Sequence, residues 1–186
     1  MEFEKRYADL EALEVKPTDD NQLEGYAIVF NQETKIYDEF FEIIDPMAVS
    51  SNFGDVRFLW NHNSDIVLGR TAANTLSLEK NDFGLRFSSI LPAWANGYHE
   101  TIQRGDVSGM SFGFRVTKDA WTIRNNSEYV RRILGLEILE ISTSTFPAYP
   151  TTSVQVRSLP IYNDIDNRFK RNMRTLKIYE LTTRGI

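Results

Sequence analysis

The chain has no cysteine and only two histidines, His62 and His99, among its 186 residues. Without thiols it can hold no cysteine nucleophile, CxxC redox pair, disulfide framework or thiolate zinc site. Two imidazoles rule out a three-histidine metal centre. Apolar runs fall far short of the roughly 20 residues of a membrane span, and the acidic start MEFEKRYADLEALE does not read as a secretory signal. Walker A, HExxH and dinucleotide glycine fingerprints are also missing. If the chain is an enzyme, its chemistry rests on hydroxyls, carboxylates, amines and one of two imidazoles.

Acidic residues outnumber basic ones by 26 to 21, for a formal net charge of −5, which disfavours nucleic acid as the main partner. The charge is unevenly spread. Residues 1–20 carry seven acids and three bases, and residues 161–186 carry six bases and three acids. A length of 186 suits one domain. The charge shifts divide it into an acidic N-terminal extension (1–20), a body (21–160) and a basic C-terminal tail (161–186). Such ends read either as solvated extensions or as segments that attract one another or a partner. The tail's NRFKRNMRTLK contains Phe169 but lacks the dense aromatic interleaving of a nucleic-acid surface.

Between the ends the pattern is mostly that of strands. GYAIVF (25–30) predicts one, and KIYDEFFEII (35–44) another that stops at Asp45-Pro46. A short helix fits between Asp45 and Asn52. VRFLWNH (56–62) predicts a strand with Val56, Phe58, Trp60 and His62 on one face, followed by a polar loop. TLSLEKNDFGLRFSSIL reads as a hairpin around Lys80–Gly84. Residues 93–105 predict a helix with Trp94, Tyr98 and Ile102 on one face and Gly105 as its stop. VSGMSFGFRV predicts a glycine-punctuated strand, with a partner strand starting over Tyr129–Ile133 after a turn at Asn125-Asn126. LEILEISTSTF (136–146) predicts a long strand ended by Pro147, and a helix is expected from about Asn167 to Leu181. Aromatic residues, 12% of the chain, supply core volume. The expected fold is β-rich α+β rather than a helix bundle or a doubly wound sheet.

Three apolar strand segments each carry one polar residue. His62 ends the row begun by Val56, Ser111 lies opposite Met110, Phe112 and Phe114, and Glu140 follows Leu136 and Ile138. A carboxylate in such a strand needs a partner if buried, and an imidazole would serve. The three residue types match a nucleophile, a base and an orienting acid. A serine hydroxyl needs an adjacent base to take its proton, an imidazole can take it and later return it, and a carboxylate can fix the imidazole tautomer. Glycines beside Ser111 would let backbone amides approach an oxyanion.

Structural readings compete at each position. His62 fits a strand end beside Trp60, GMSFGF fits a twisted core strand, and Glu140 could pair with Arg131 or Arg132. Ser108, Ser142 and Ser144 are alternative nucleophiles, His99 is an alternative base, and Asp65 and Asp106 are alternative acids. A metal site from His62, His99 and a carboxylate lacks any tight ligand motif.

The same residues sit in text that resembles the prohead (procapsid) maturation serine protease family of tailed phages and prophages, of the HK97-like type. The resembling segments are GYAIVF, FLWNHNSDIVLGR (58–70), GLRFSSILP (84–92), GDVSGMSFGF (105–114) and LEILEISTSTFPAYPTTSVQVRS (136–158). They run in order over about residues 24–158. The resemblance extends to herpesvirus assemblin. It implies a closed or partly closed β-barrel with peripheral helices, a catalytic domain over 21–160, and His62, Ser111 and Glu140 as base, nucleophile and third member. It implies no metal or organic cofactor. The implied substrate is the scaffold-like segment of a major capsid protein, cleaved inside the assembling procapsid in the host cytoplasm. Cleavage of the protease's own tail and a dimer are further implications; nucleic acid and membrane are not required partners. A catalytically inactive assembly or scaffold-binding protein, or a non-peptidase serine hydrolase, remains open, although the absence of GxSxG disfavours the α/β-hydrolase form.

Overall fold

The computed structural model describes residues 4–7, 16–17, 21–36, 39–125 and 128–145. The helix expected over Asn167–Leu181 and the end of the last expected strand lie outside these residues. The described elements are strands β1 (Glu4–Tyr7), β2 (Lys16–Pro17), β3 (Gln22–Val29), β4 (Glu33–Ile36), β5 (Phe40–Ile44), β6 (Arg57–Trp60), β7 (Asn63–Arg70), β8 (Leu76–Lys80) and β9 (Gly84–Ile90), then helix α1 (Asn96–Gln103), and strands β10 (Gly109–Arg124) and β11 (Glu128–Ser144). The β-rich expectation therefore holds. No described helix is long and apolar enough to cross a membrane.

β11 is the spine of the first sheet. β10 pairs antiparallel along it, from Arg124↔Glu128 to Gly109↔Ser144. Its other edge takes two parallel partners in succession, β5 over residues 129–133 and β6 over residues 140–143, with a Val49↔Leu136 bridge between them. β1 lies outside β10, β4 outside β5, and β7 outside β6. The second sheet runs β2-β3-β9-β8, all antiparallel. Two pieces of the acidic segment 1–20 thus join the sheets as β1 and β2.

The core joins the two sheets. Leu23, Ile28, Leu85 and Phe87 from the second sheet cluster with Phe58, Met110, Phe112, Phe114 and Ile141 from the first. Phe58 and Phe87 meet across the sheets with ring centroids 5.2 Å apart. Each fully buried large side chain contributes about 1.5–3 kcal/mol relative to exposure. Apolar alternation, Met110, Phe112 and Phe114 on β10 and Leu85 and Phe87 on β9, therefore marks the inward face of each strand.

Several expectations need correction. A closed or partly closed barrel is not found: among the described residues no pairing joins the outer strands of either sheet. The first sheet widens by branching, because β5 and β6 share one edge of β11, and its apolar face is covered by the second sheet instead of by closure. Among the described residues there is one α-helix, α1. The stretch 35–44 is two strands, with Lys35↔Phe41 in register and a turn in which the Glu39 N–H donates to the Ile36 carbonyl at 3.0 Å. The short helix after Asp45 is one 3₁₀ turn, Pro46–Ala48, capped by the Asp45 carboxylate accepting from the Met47 N–H at 2.9 Å.

The two strands expected over 129–133 and 136–146 are one, β11. Gly135 does not interrupt it, because a side chain there would meet Thr117 Oγ1 at 2.6 Å, where the β10 register slips around Lys118. Glycine makes room for the bulge. The Lys80–Gly84 hairpin is present, as β8 and β9. In the 93–105 segment Ile102 is buried and Tyr98 partly so, while Trp94 is 60% exposed. Trp94 belongs to the 3₁₀ turn Ala93–Ala95 that precedes the helix, so it falls off the helical face. Gly105, with φ +81°, follows the last turn as expected.

Candidate active site

β6 ends at Trp60, and the chain reverses through Asn61 and His62 into β7, where Trp60 pairs with Asn63. Asn61 and His62 have φ of 49° and 59°. Two left-handed residues in a two-residue loop match the right-handed twist of the flanking strands. His62 is therefore not the end of the Val56–Phe58–Trp60 row that the parity of the sequence predicted. The turn, not the strand face, delivers it. The polar loop expected after it is instead the start of β7.

The turn is tied to the end of β11 by backbone and side chain. The Asn61 N–H donates to the Thr143 carbonyl at 2.9 Å. The Asn61 side-chain amide donates to Thr145 Oγ1 at 2.8 Å and accepts from the Thr145 N–H at 2.8 Å. Asparagine is suited to this place, since it tolerates a left-handed backbone and its amide both donates and accepts.

Ser111 on β10 stands opposite Ser142 on β11, and Glu140 is two residues before Ser142 on the same strand. A period of two places Ser142 and Glu140 on one face, the face that Ser111 shares by register. His62 reaches this face from the neighbouring hairpin. Ser111 Oγ lies 2.7 Å from His62 Nε2, and His62 Nδ1 lies 2.6 Å from Glu140 Oε1. An ionised carboxylate can only accept, so Nδ1 carries the imidazole proton and Nε2 is left to accept from the Ser111 hydroxyl. Ser142 Oγ donates to Glu140 Oε2 at 2.6 Å and accepts from the His62 backbone N–H at 3.2 Å.

The group is shielded from water. Ser111 and Ser142 are fully buried, and the side chains of His62 and Glu140 are 8% and 7% exposed. A buried carboxylate is tolerated only when hydrogen-bonded. Here each Glu140 oxygen has a partner, His62 on one and Ser142 on the other. The alternative partners considered for Glu140 are engaged elsewhere: Arg131 with Glu42 and Asp119 at 3.1 and 2.8 Å, and Arg132 with Asp45 at 3.1 Å.

The structure thus brings His62, Ser111 and Glu140 into one hydrogen-bonded row. Of the other candidates, Ser142 is bound to this row through Glu140 and the His62 N–H, and the rest stand outside it. Ser108 is exposed, Asp65 is exposed on β7, and exposed Asp106 pairs with Arg104 at 3.1 Å. Ser144 is buried at the β11 end opposite Gly109, and His99 is half-buried on α1. Two residues of the assembly carried no site expectation as supports, Ser142 and Asn61. Ser142 was visible only as a hydroxyl sharing the parity of Glu140. Asn61 was visible as an asparagine beside the histidine, a residue type common in turns.

Chemically, the row can pass a proton. With Nε2 accepting, the Ser111 hydroxyl can give its proton to the imidazole, and the Glu140 carboxylate beside Nδ1 would face the imidazolium that results.

The chain matches the family model described as caudovirus prohead serine protease over residues 8–180. It is 29% identical over 165 residues to the prohead protease of Enterobacteria phage HK97, covering 83% of this chain and 71% of that protein. No solved structure gives a significant match.

Proposed function

The chain belongs to the caudovirus prohead serine protease family, and on that premise we propose that Ser111 is its nucleophile, His62 its general base and acid, and Glu140 the carboxylate that orients His62. It is a serine peptidase. The observation that carries the assignment of roles is the continuous row from Ser111 Oγ through both His62 ring nitrogens to Glu140, at 2.7 and 2.6 Å.

In the proposed reaction Ser111 Oγ attacks the scissile carbonyl carbon while its proton passes to His62 Nε2. The carbonyl π electrons move to oxygen, giving a tetrahedral oxyanion. Glu140 stays ionised and offsets the charge on the imidazolium. The oxyanion collapses, the carbon–nitrogen bond breaks, and His62 Nε2 gives its proton to the departing amine. An acyl-enzyme ester on Ser111 remains. Water then enters, His62 takes one of its protons, and hydroxide adds to the ester carbonyl. Collapse releases the acid and returns the proton to Ser111. No step calls on a metal or an organic cofactor.

The substrate in this reading is a segment of the major capsid protein, cleaved inside the assembling procapsid within the host cytoplasm. Family membership and the prohead protease of phage HK97 support it. Cleavage of the enzyme's own basic tail, association as a dimer, and kinship with herpesvirus assemblin belong to the same proposal.

Co-expression with the major capsid protein it is proposed to cleave tests the reading. A discrete capsid-protein cleavage is expected with the native chain and should vanish with Ser111→Ala and with His62→Ala. Cleavage unchanged by Ser111→Ala would overturn the mechanism. A folded native chain that never cleaves would favour an inactive assembly protein. Intact masses of the native chain and the Ser111→Ala variant test tail removal, since only the native chain should be shortened.

A further inference from the structure

Ser142 is joined to two members of the row at once. Its hydroxyl hydrogen goes to Glu140 Oε2 at 2.6 Å, and its oxygen accepts from the backbone N–H of His62 at 3.2 Å. It is fully buried and stands in register with Ser111 on β10 and Leu59 on β6. Resting on the assignment of Ser111, His62 and Glu140 above, we propose that Ser142 is a positioning residue for peptide hydrolysis, a single hydroxyl that sets the carboxylate and the imidazole at their working separation.

Each bond has a separate consequence. A carboxylate on a strand can rotate about its last side-chain torsion, which is broad and nearly two-fold. The bond to Oε2 holds that rotation, so Oε1 stays in line with Nδ1. A charge-assisted bond to an ionised oxygen is also stronger than a neutral one, so it resists that rotation. The second bond acts on the base. His62 has φ +59°, a conformation uncommon for a residue with a Cβ, and a partner for its N–H helps to hold the turn there. Both atoms of the O–H group are thereby committed, which fixes its direction. The same serine was a candidate nucleophile from its sequence position. Its hydrogen points at a carboxylate, while the hydroxyl adjacent to a base nitrogen is that of Ser111.

In register, Arg57 on β6 stands opposite Glu140. Arg57 is paired with Asp55 at 3.1 Å, and Asp65 lies exposed on β7.

The experiment compares the full chain with its Ser142→Ala, Ser142→Cys and Ser142→Thr variants. Nucleophilicity is read as the rate at which a fluorophosphonate probe labels Ser111, followed by intact mass. The Nδ1–H signal of His62 is read by proton NMR. Only two histidines exist, so a His99→Gln variant assigns the spectrum. Loss of a hydrogen bond to a charged group should slow labelling about ten- to hundredfold in Ser142→Ala. The Nδ1–H signal should move or broaden, and Ser142→Thr, which keeps a hydroxyl, should restore both. Ser142→Cys nearly keeps the volume with a weaker donor, so it should fall between if the alanine variant does not fold. A folded alanine or cysteine variant with the native labelling rate and an unmoved Nδ1–H signal would overturn the proposal. Failure of the underlying reading looks different: Ser111→Ala would still be labelled by the probe, or would still cleave capsid protein.

Discussion

Replacing Glu140 by glutamine removes one negative charge while keeping the shape of the side chain. In the native arrangement His62 Nδ1 is 2.6 Å from Oε1. In the proposed reaction, once Ser111 has given up its proton, the imidazolium and carboxylate charges, each spread over its group, are centred about 4 Å apart. At an effective dielectric near 20 that attraction is worth about 4 kcal/mol. It exists in the transition state and not with the neutral imidazole, so its loss falls on the rate, by about a thousandfold at ~1.4 kcal/mol per decade. A second effect adds to it. The glutamine amide can turn its NH₂ group toward Nδ1 while its carbonyl accepts from Ser142, as Oε2 does now. Nδ1 must then accept, the ring proton moves to Nε2, and the Ser111 hydroxyl faces a donor. With that tautomer populated, the expected loss is about 10³- to 10⁴-fold. The assay is the rate of fluorophosphonate labelling of Ser111 in Glu140→Gln, supported by capsid-protein cleavage in co-expression, with the folded state checked by circular dichroism. A labelling rate within tenfold of the native chain would refute the electrostatic role.

Four further outcomes follow from the packing. Gly84→Ala places a Cβ 2.1 Å from the Ile28 carbonyl oxygen of β3, so backbone must move, and urea denaturation should show a loss of about 1–3 kcal/mol; an unchanged midpoint would mean the two strands part easily. Arg131→Leu removes the cation facing Glu42, a pair with side chains 5% and 3% exposed, and should cost about 3–5 kcal/mol in the same measurement. Asp55 is held below its ordinary 3.8, chiefly by its hydrogen bonds from Arg70, so its contribution is complete above that value and lost as pH falls through the lowered one. The stability difference between the native chain and Asp55→Asn should thus be present at pH 6 and shrink in acid; because the group is exposed, it should also shrink in high salt. Removing residues 1–7 uncovers the β10 edge from Ser111 to Phe114, and self-association should rise in analytical ultracentrifugation; an unchanged sedimentation profile would show that this edge is otherwise protected.

Much of the candidate site is legible in the sequence alone. Ser111 and Glu140 stood out because each interrupts an apolar alternation, and a buried polar group in a strand demands a partner. His62 stood out because only one other imidazole exists. Its placement was misread, since a two-residue reversal with left-handed backbone at Asn61 and His62 looks, in one dimension, like two more residues of a strand. Ser142 was seen and given a rival role, because parity says which residues share a face but not which hydroxyl hydrogen points at which atom.

The sequence by itself determined the chemical inventory: no thiol, two imidazoles, and a β-rich chain whose hydroxyl, imidazole and carboxylate candidates could be named. Local alternation sufficed for this, because it reports burial on strands directly. Tertiary structure alone decided how those candidates meet. The parallel pairing of β6 with the far half of β11, across 80 residues of sequence from His62 to Ser142, puts the histidine turn beside the serine strand. Long-range pairing of this kind depends on which edges remain open once the core has formed. Among the described residues it also leaves the first sheet branched and unclosed, with β5 and β6 both docked on the one edge of β11.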